Sequence, residues 1–188
     1  MALDTIQLRR FTVMEYHRMH DAGILSEDDQ VELIDGEIVQ MSPIGSQHAA
    51  CVDRLVALLF ARFLGQIQIR VQSPVMLDDH SEPEPDVALL HLKANAYADA
   101  HPGPDDILLV VEVADATLDF DRTVKMPRFA AAGIQEAWIV NLLEGCIEVY
   151  REPGKEGYHK RQIYQRGDSW ESVIFPGVFF KVNEIFPR

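Results

Sequence analysis

Cysteine is nearly absent: the 188 residues contain two, Cys51 and Cys146, each inside an apolar periodic segment and away from histidine or another cysteine. They offer neither a disulfide framework nor a zinc site, and both are expected as buried thiols. No apolar run approaches the roughly 20 residues needed to span a bilayer. The N-terminal stretch Met1–Arg10 alternates polar and apolar residues, without a segment of secretory-signal length. A soluble, cytoplasmic protein with no membrane partner is therefore expected. There is no Gly-rich phosphate loop, the Ser, His and Asp residues form no nucleophile elbow, and the histidines lack a metal-ligand spacing. Basic residues are also in deficit, 17 Lys and Arg against 30 Asp and Glu, for a formal charge of −13. Such a chain repels polyanions, which argues against passive, high-affinity nucleic-acid binding.

What is present suits one globular core. The hydrophobic content is 47%, and residues 1–188 are expected to form a single domain. Thr12 with Glu15 makes a capping box for a short helix carrying Val13, Tyr16 and Met19 and closing near Gly23. Val31–Ile34 and Glu37–Val39 flank Asp35-Gly36, a type I′ hairpin signal. Ser46 can cap the longest helix, whose stripe Ala49, Val52, Leu55, Val56, Leu59 and Phe63 ends at Gly65. Strands are expected at 67–71, 75–77, 86–91, 107–113, 137–140, 147–150, 158–164 and 178–182. The stretch 78–85 is polar and Pro-rich, and a helix is expected over 120–132, kinked by Pro127 or starting near Met126. The near-continuous apolar run 107–113 reads as a central strand covered on both faces, within a mixed sheet carrying helices.

Glu112 interrupts that run. A carboxylate buried there must be protonated, paired or ligated to a metal, unless it reaches water at the end of the strand. Asp86 opens a strand directly after Pro85; alone it reads equally as a turn aspartate. If the two strands are neighbours, Asp86 and Glu112 can share one hard cation such as Mg²⁺. Lys125 follows Asp121 at helical spacing, either as an exposed ion pair or as an ammonium folded back over the sheet to orient water and offset transition-state charge. Glu32, in the hairpin, could add a metal or water ligand. His48, at the start of the long helix, could contact phosphate or transfer a proton. Both also fit ordinary surface or core roles.

Several short motifs agree in order and spacing with a known family. They are Phe11-Thr12 with Glu15-Tyr16, Glu32-Leu33-Ile34-Asp35-Gly36-Glu37-Ile38, Met41-Ser42-Pro43 with His48, and Glu84-Pro85-Asp86. Val111-Glu112-Val113, Asp121-Arg122 with Lys125, and Ala132-Gly133-Ile134-Gln135-Glu136-Ala137-Trp138 continue the series over nearly the whole chain. In these features the sequence resembles the Uma-type restriction endonucleases, formerly a domain of unknown function, within the PD-(D/E)XK nuclease superfamily. The resemblance implies an α/β (α+β) fold, a restriction-endonuclease-like mixed β-sheet core flanked by helices, with an N-terminal helix and hairpin. It implies Asp86 as the motif aspartate, Glu112 as the second metal-binding acid and Lys125 as the catalytic lysine, with Glu32 and His48 completing the site. The superfamily lysine ordinarily stands two residues after the second acid, where this chain has Ala114, so the following helix must supply it.

The leading expectation is Mg²⁺- or Mn²⁺-dependent hydrolysis of DNA phosphodiesters by a protein that cuts two strands most easily as a homodimer. The alternative is a catalytically weak or inactive nuclease-fold binding or accessory module. A small phosphorylated substrate, which tolerates the acidic charge better than duplex DNA, is a third reading.

Overall fold

A computed structural model describes residues 8–26 and 28–186, so most of the Met1–Arg10 alternation lies outside the described residues. Helix α1 (Val13–Asp21) opens on the expected capping box, the Thr12 N–H donating to Glu15 Oε2 at 3.0 Å. The hairpin follows as β1 (Val31–Ile34) and β2 (Glu37–Gln40). Its turn residues Asp35 and Gly36 have φ of 52° and 72°, both positive as a type I′ turn requires. A Cβ on Gly36 would lie 2.6 Å from Arg10 Cβ and 2.8 Å from the Phe11 backbone. Val13 and Tyr16 of α1 pack on Val31 and Leu33 of this hairpin.

The longest helix is α2 (Ser46–Phe63), with Cys51, Val52, Leu55, Leu59 and Phe63 buried along one stripe. The expected cap at Ser46 is corrected: extended Gly45 is the N-cap, and Ser46 is already helical with no side-chain capping bond. The central sheet has six strands in the order β3-β4-β5-β6-β7-β8. They are β3 (Ile67–Val71), β4 (Val87–His91), β5 (Ile107–Ala114), β6 (Glu136–Asn141), β7 (Cys146–Gly154) and β8 (Gly157–Tyr164). Only β5 and β6 run parallel; the other neighbours are antiparallel. Residues 75–77 do not form a strand as expected. Their N–H groups instead donate to carbonyls of Pro83, Pro102 and Ser81, in two separate loop segments, so no single neighbouring strand forms a ladder with them.

β5 is the inner strand its apolar run suggested. Leu109, Val111 and Val113 face α2, while Val110 and Ala114 face the helical segment 118–131. That segment consists of α3 (Leu118–Phe120), a wide turn at Asp121–Lys125 and α4 (Met126–Ala131). In the wide turn the Met126 N–H reaches back five residues to the Asp121 carbonyl, a π-type bond. Pro127 lacks an N–H and would crowd the carbonyl four residues back; of the two expected outcomes, α4 starts at Met126 with Pro127 in its first turn, and the widened turn before it takes the place of a kink. The last expected strand is shorter, β10 (Phe179–Lys181), and pairs with β9 (Ser169–Glu171), which holds a single buried residue and so had little alternation to reveal it. Val182 instead begins α5 (Val182–Ile185). Trp170 and Phe180 of this small hairpin join the α2 face of the sheet. No helix among the described residues is long and apolar enough to cross a membrane.

Candidate active site

The β4–β5 register places Val87 opposite Val111. One step further, Asp86 stands opposite Glu112, and its N–H lies 3.4 Å from Glu112 Oε2. Residues opposed across an antiparallel pair project from the same face, so both carboxylates emerge on the side that carries the wide turn. Asp86 Oδ2 accepts from the Val113 N–H at 2.8 Å and pairs with His48 Nε2 at 3.0 Å. Asp86 Oδ1 accepts from Gln72 Nε2 at 3.3 Å.

Lys125 comes back over the sheet. Its Nζ lies 3.0 Å from Glu32 Oε2 and 3.3 Å from Glu112 Oε1, with Glu32 and Glu112 each 3% exposed and Lys125 7%. Burial acts to lower the lysine's pKa, but Glu112, Glu32 and Asp121 outweigh it and raise it, so the ammonium stays charged. One ammonium cannot compensate every carboxylate around it. Burial therefore holds Glu112 well above the usual carboxylate range despite Lys125, and Glu112 Oε1 has the ion pair but no aligned hydrogen bond. Burial likewise pushes Asp121 up to about 6, against Lys125 and a 2.8 Å bond from Thr117 Oγ1. Glu84, whose N–H donates to Glu32 Oε2 at 3.0 Å, is raised by burial and then by Glu32. His48 is raised chiefly by its hydrogen bond to Asp86.

These groups line a cleft of about 1010 Å³. Nine carboxylate residues border it (Asp21, Asp29, Glu32, Glu82, Glu84, Asp86, Glu112, Asp115 and Asp121), with Lys125 as the only Lys or Arg among its described lining residues. All five residues expected to form a site, Glu32, His48, Asp86, Glu112 and Lys125, thus meet in one cleft. Among the described residues no group of three or more His, Cys, Asp or Glu side chains is arranged around a single ion position. Glu32, expected as a further metal ligand, is engaged by Lys125 and the Glu84 N–H. The donor set that remains, two hard carboxylates with a poorly compensated buried oxygen on one of them, suits a Mg²⁺-type ion, which commonly takes one or two carboxylates and otherwise water.

A family model described as Uma2, putative restriction endonuclease, matches residues 13–183. The chain belongs to the Uma2 family. Among solved structures it is similar to a putative nuclease belonging to DUF820 from Anabaena variabilis ATCC 29413, with a TM-score of 0.71. Identity is 15%, over 94% of this chain and 97% of that one, so the likeness shows the fold: a mixed sheet flanked by helices. No curated protein matches the chain.

The Uma2 cleft also contains residues that sequence reasoning passed over. Asp121 is buried rather than half of an exposed helix pair. His17 Nε2 pairs with buried Glu82 at 2.7 Å, tying α1 to the Pro-rich stretch. Gln72 contacts Asp86 through a backbone conformation that no motif announces. Beside the cleft, fully buried Glu148 takes Arg122 Nε at 3.1 Å, Arg161 Nε at 3.0 Å and the Tyr150 hydroxyl at 2.7 Å. An acid between Ile147 and Val149 carried the same signal as Glu112.

Proposed function

We propose that this Uma2 protein is an endonuclease that hydrolyses DNA phosphodiesters with Mg²⁺ or Mn²⁺ held by Asp86 and Glu112. The observation that carries this reading is the opposition of the two acids across β4 and β5, with the Lys125 ammonium 3.3 Å from Glu112. A bound divalent ion supplies Lewis-acid polarisation and a more acidic water at neutral pH. The protein's own groups prepare the rest. The Val113 N–H and His48 fix Asp86 Oδ2. Glu32 anchors Lys125 beside Glu112, and so keeps a positive charge where negative charge would develop on phosphorus oxygens during attack. His48, held by Asp86, is placed for a phosphate contact or a proton transfer.

Cleavage of supercoiled plasmid tests the reading. With Mg²⁺ or Mn²⁺ the wild type should nick or linearise the plasmid, chelation should stop it, and Asp86→Ala should abolish it while melting as a folded protein. Metal-dependent cleavage retained by Asp86→Ala would overturn the assignment. The acidic lining of the cleft favours a second reading, a catalytically weak accessory module, which an inactive wild type would select.

A further inference from the structure

We infer that Gln72 is a positioning residue, whose side-chain amide holds the Asp86 carboxylate in one orientation at the mouth of the cleft. The inference rests on the reading of Asp86 and Glu112 as the metal site. Gln72 directly follows β3, and its N–H donates to the Asp86 carbonyl at 3.1 Å, extending the β3–β4 pairing by one step so that the two residues stand opposite each other. There the backbone takes φ of +45°, a left-handed conformation that suits glycine and is unfavourable for a long side chain. Of the five described non-glycine residues with positive φ, Gln72 alone lines this cleft.

The neighbourhood holds the strain in place. Ser73 Oγ donates to the Val71 carbonyl at 2.9 Å, Pro74 fixes the next φ, and the Val75 N–H is tied to Pro83 at 3.0 Å. A turn alone would be served better by glycine; what glycine lacks is the amide. Gln72 Nε2 donates to Asp86 Oδ1 at 3.3 Å and is, among the described residues, the only hydrogen-bond donor to that oxygen. The other oxygen takes the Val113 N–H and His48, so β3, β5 and α2 each grip the carboxylate. The terminal torsion of an aspartate is otherwise broad. A neutral donor has a further merit: unlike Arg or Lys, it orients the carboxylate without cancelling the charge that attracts a cation. Persistent strain beside reactive groups is a recognised mark of such preorganisation.

Two variants separate amide from backbone. Gln72→Gly removes the amide and relieves the strain; Gln72→Ala removes the amide and keeps the strain. Metal-free crystal structures should show Asp86 in a single orientation in the wild type, and rotated or in two orientations in Gln72→Gly. In titration calorimetry both variants should bind Mn²⁺ about tenfold more weakly than wild type, in the range for partners that orient metal ligands, while Gln72→Gly melts no lower than Gln72→Ala. The inference is overturned by an Asp86 carboxylate that keeps its orientation in Gln72→Gly, by unchanged Mn²⁺ affinity, or by a loss confined to Gln72→Ala. A wild type that binds no Mn²⁺ removes the metal reading, and the crystal comparison then decides the positioning role by itself.

Discussion

Glu112 and Glu148 present the same problem, a carboxylate inside a sheet, and meet it differently. Glu148 is satisfied: burial acts to raise its pKa, but Arg122, Tyr150, Arg161 and Asn141 bring it below the ordinary value. Glu112 shares one ammonium with Glu32 and stays raised. Neutralising each acid should therefore have opposite consequences. Glu148→Gln removes the carboxylate shared by Arg122 and Arg161, which remain partly solvated, and should cost about 1.5–3 kcal/mol in urea unfolding; Glu112→Gln should keep or raise stability at neutral pH. Asp121 makes the pH dependence specific. Its pKa rises from 3.8 to about 6 on folding, so between those values the folded state holds the proton more tightly, and this contribution to stability falls as pH climbs through that window. Asp121→Asn should remove that fall, read as a smaller change in urea midpoint between pH 4 and 7; an unchanged slope would contradict the buried-acid account. Glu112 was legible in the sequence because an acid broke an apolar run. Gln72 was not, because its role depends on a backbone angle that residue type does not reveal.

At the scale of elements, the hairpin β1–β2 and the helical segment 118–131 clasp one another. Glu32 meets Lys125 and, three residues on in each, Asp35 meets Arg128. The hairpin thereby holds the lysine as well as contributing an acid. Its tight turn is what brings the N-terminal segment close, the Phe11 N–H donating to the Gly36 carbonyl at 2.9 Å. Gly36→Ala would force an alanine into φ of 72° and a Cβ to 2.6 Å from Arg10. The left-handed conformation alone costs roughly 1–2 kcal/mol, so melting should fall by roughly 2–8 °C; an unchanged melting temperature would contradict the close approach. α2 was readable because one packed face dictates its helical period, and β5 because burial on both faces makes its run almost continuously apolar. The shorter β9 was not, since three residues carry no period, and 75–77 mimicked a strand because extended, proline-flanked chain and sheet share their local preferences.

The whole molecule poses the question of charge. A net charge of −13 and a cleft whose described lining holds nine carboxylate residues and one Lys or Arg repel a polyanion over the range where charges are unscreened. Lys125 is paired with Glu32 and Glu112, so it offsets their charge and adds no net attraction for a polyanion approaching from a distance. Much of this charge is local to the fold: the carboxylates are scattered along the sequence from Asp21 to Asp121, and only the folded sheet gathers them, which is why composition revealed an excess but not its position. In the proposed reaction Asp86 and Glu112 would hold a divalent ion, whose charge would reduce the repulsion where a phosphate must approach, so metal binding at these two residues is the central claim. Titration calorimetry of Mn²⁺ into wild type, Asp86→Ala and Glu112→Ala, each verified as folded by its melting transition, tests this most directly. Saturable binding in the wild type, lost in both variants, is the expected result; no binding by the wild type, or equal binding by Asp86→Ala, would contradict a metal site at Asp86 and Glu112.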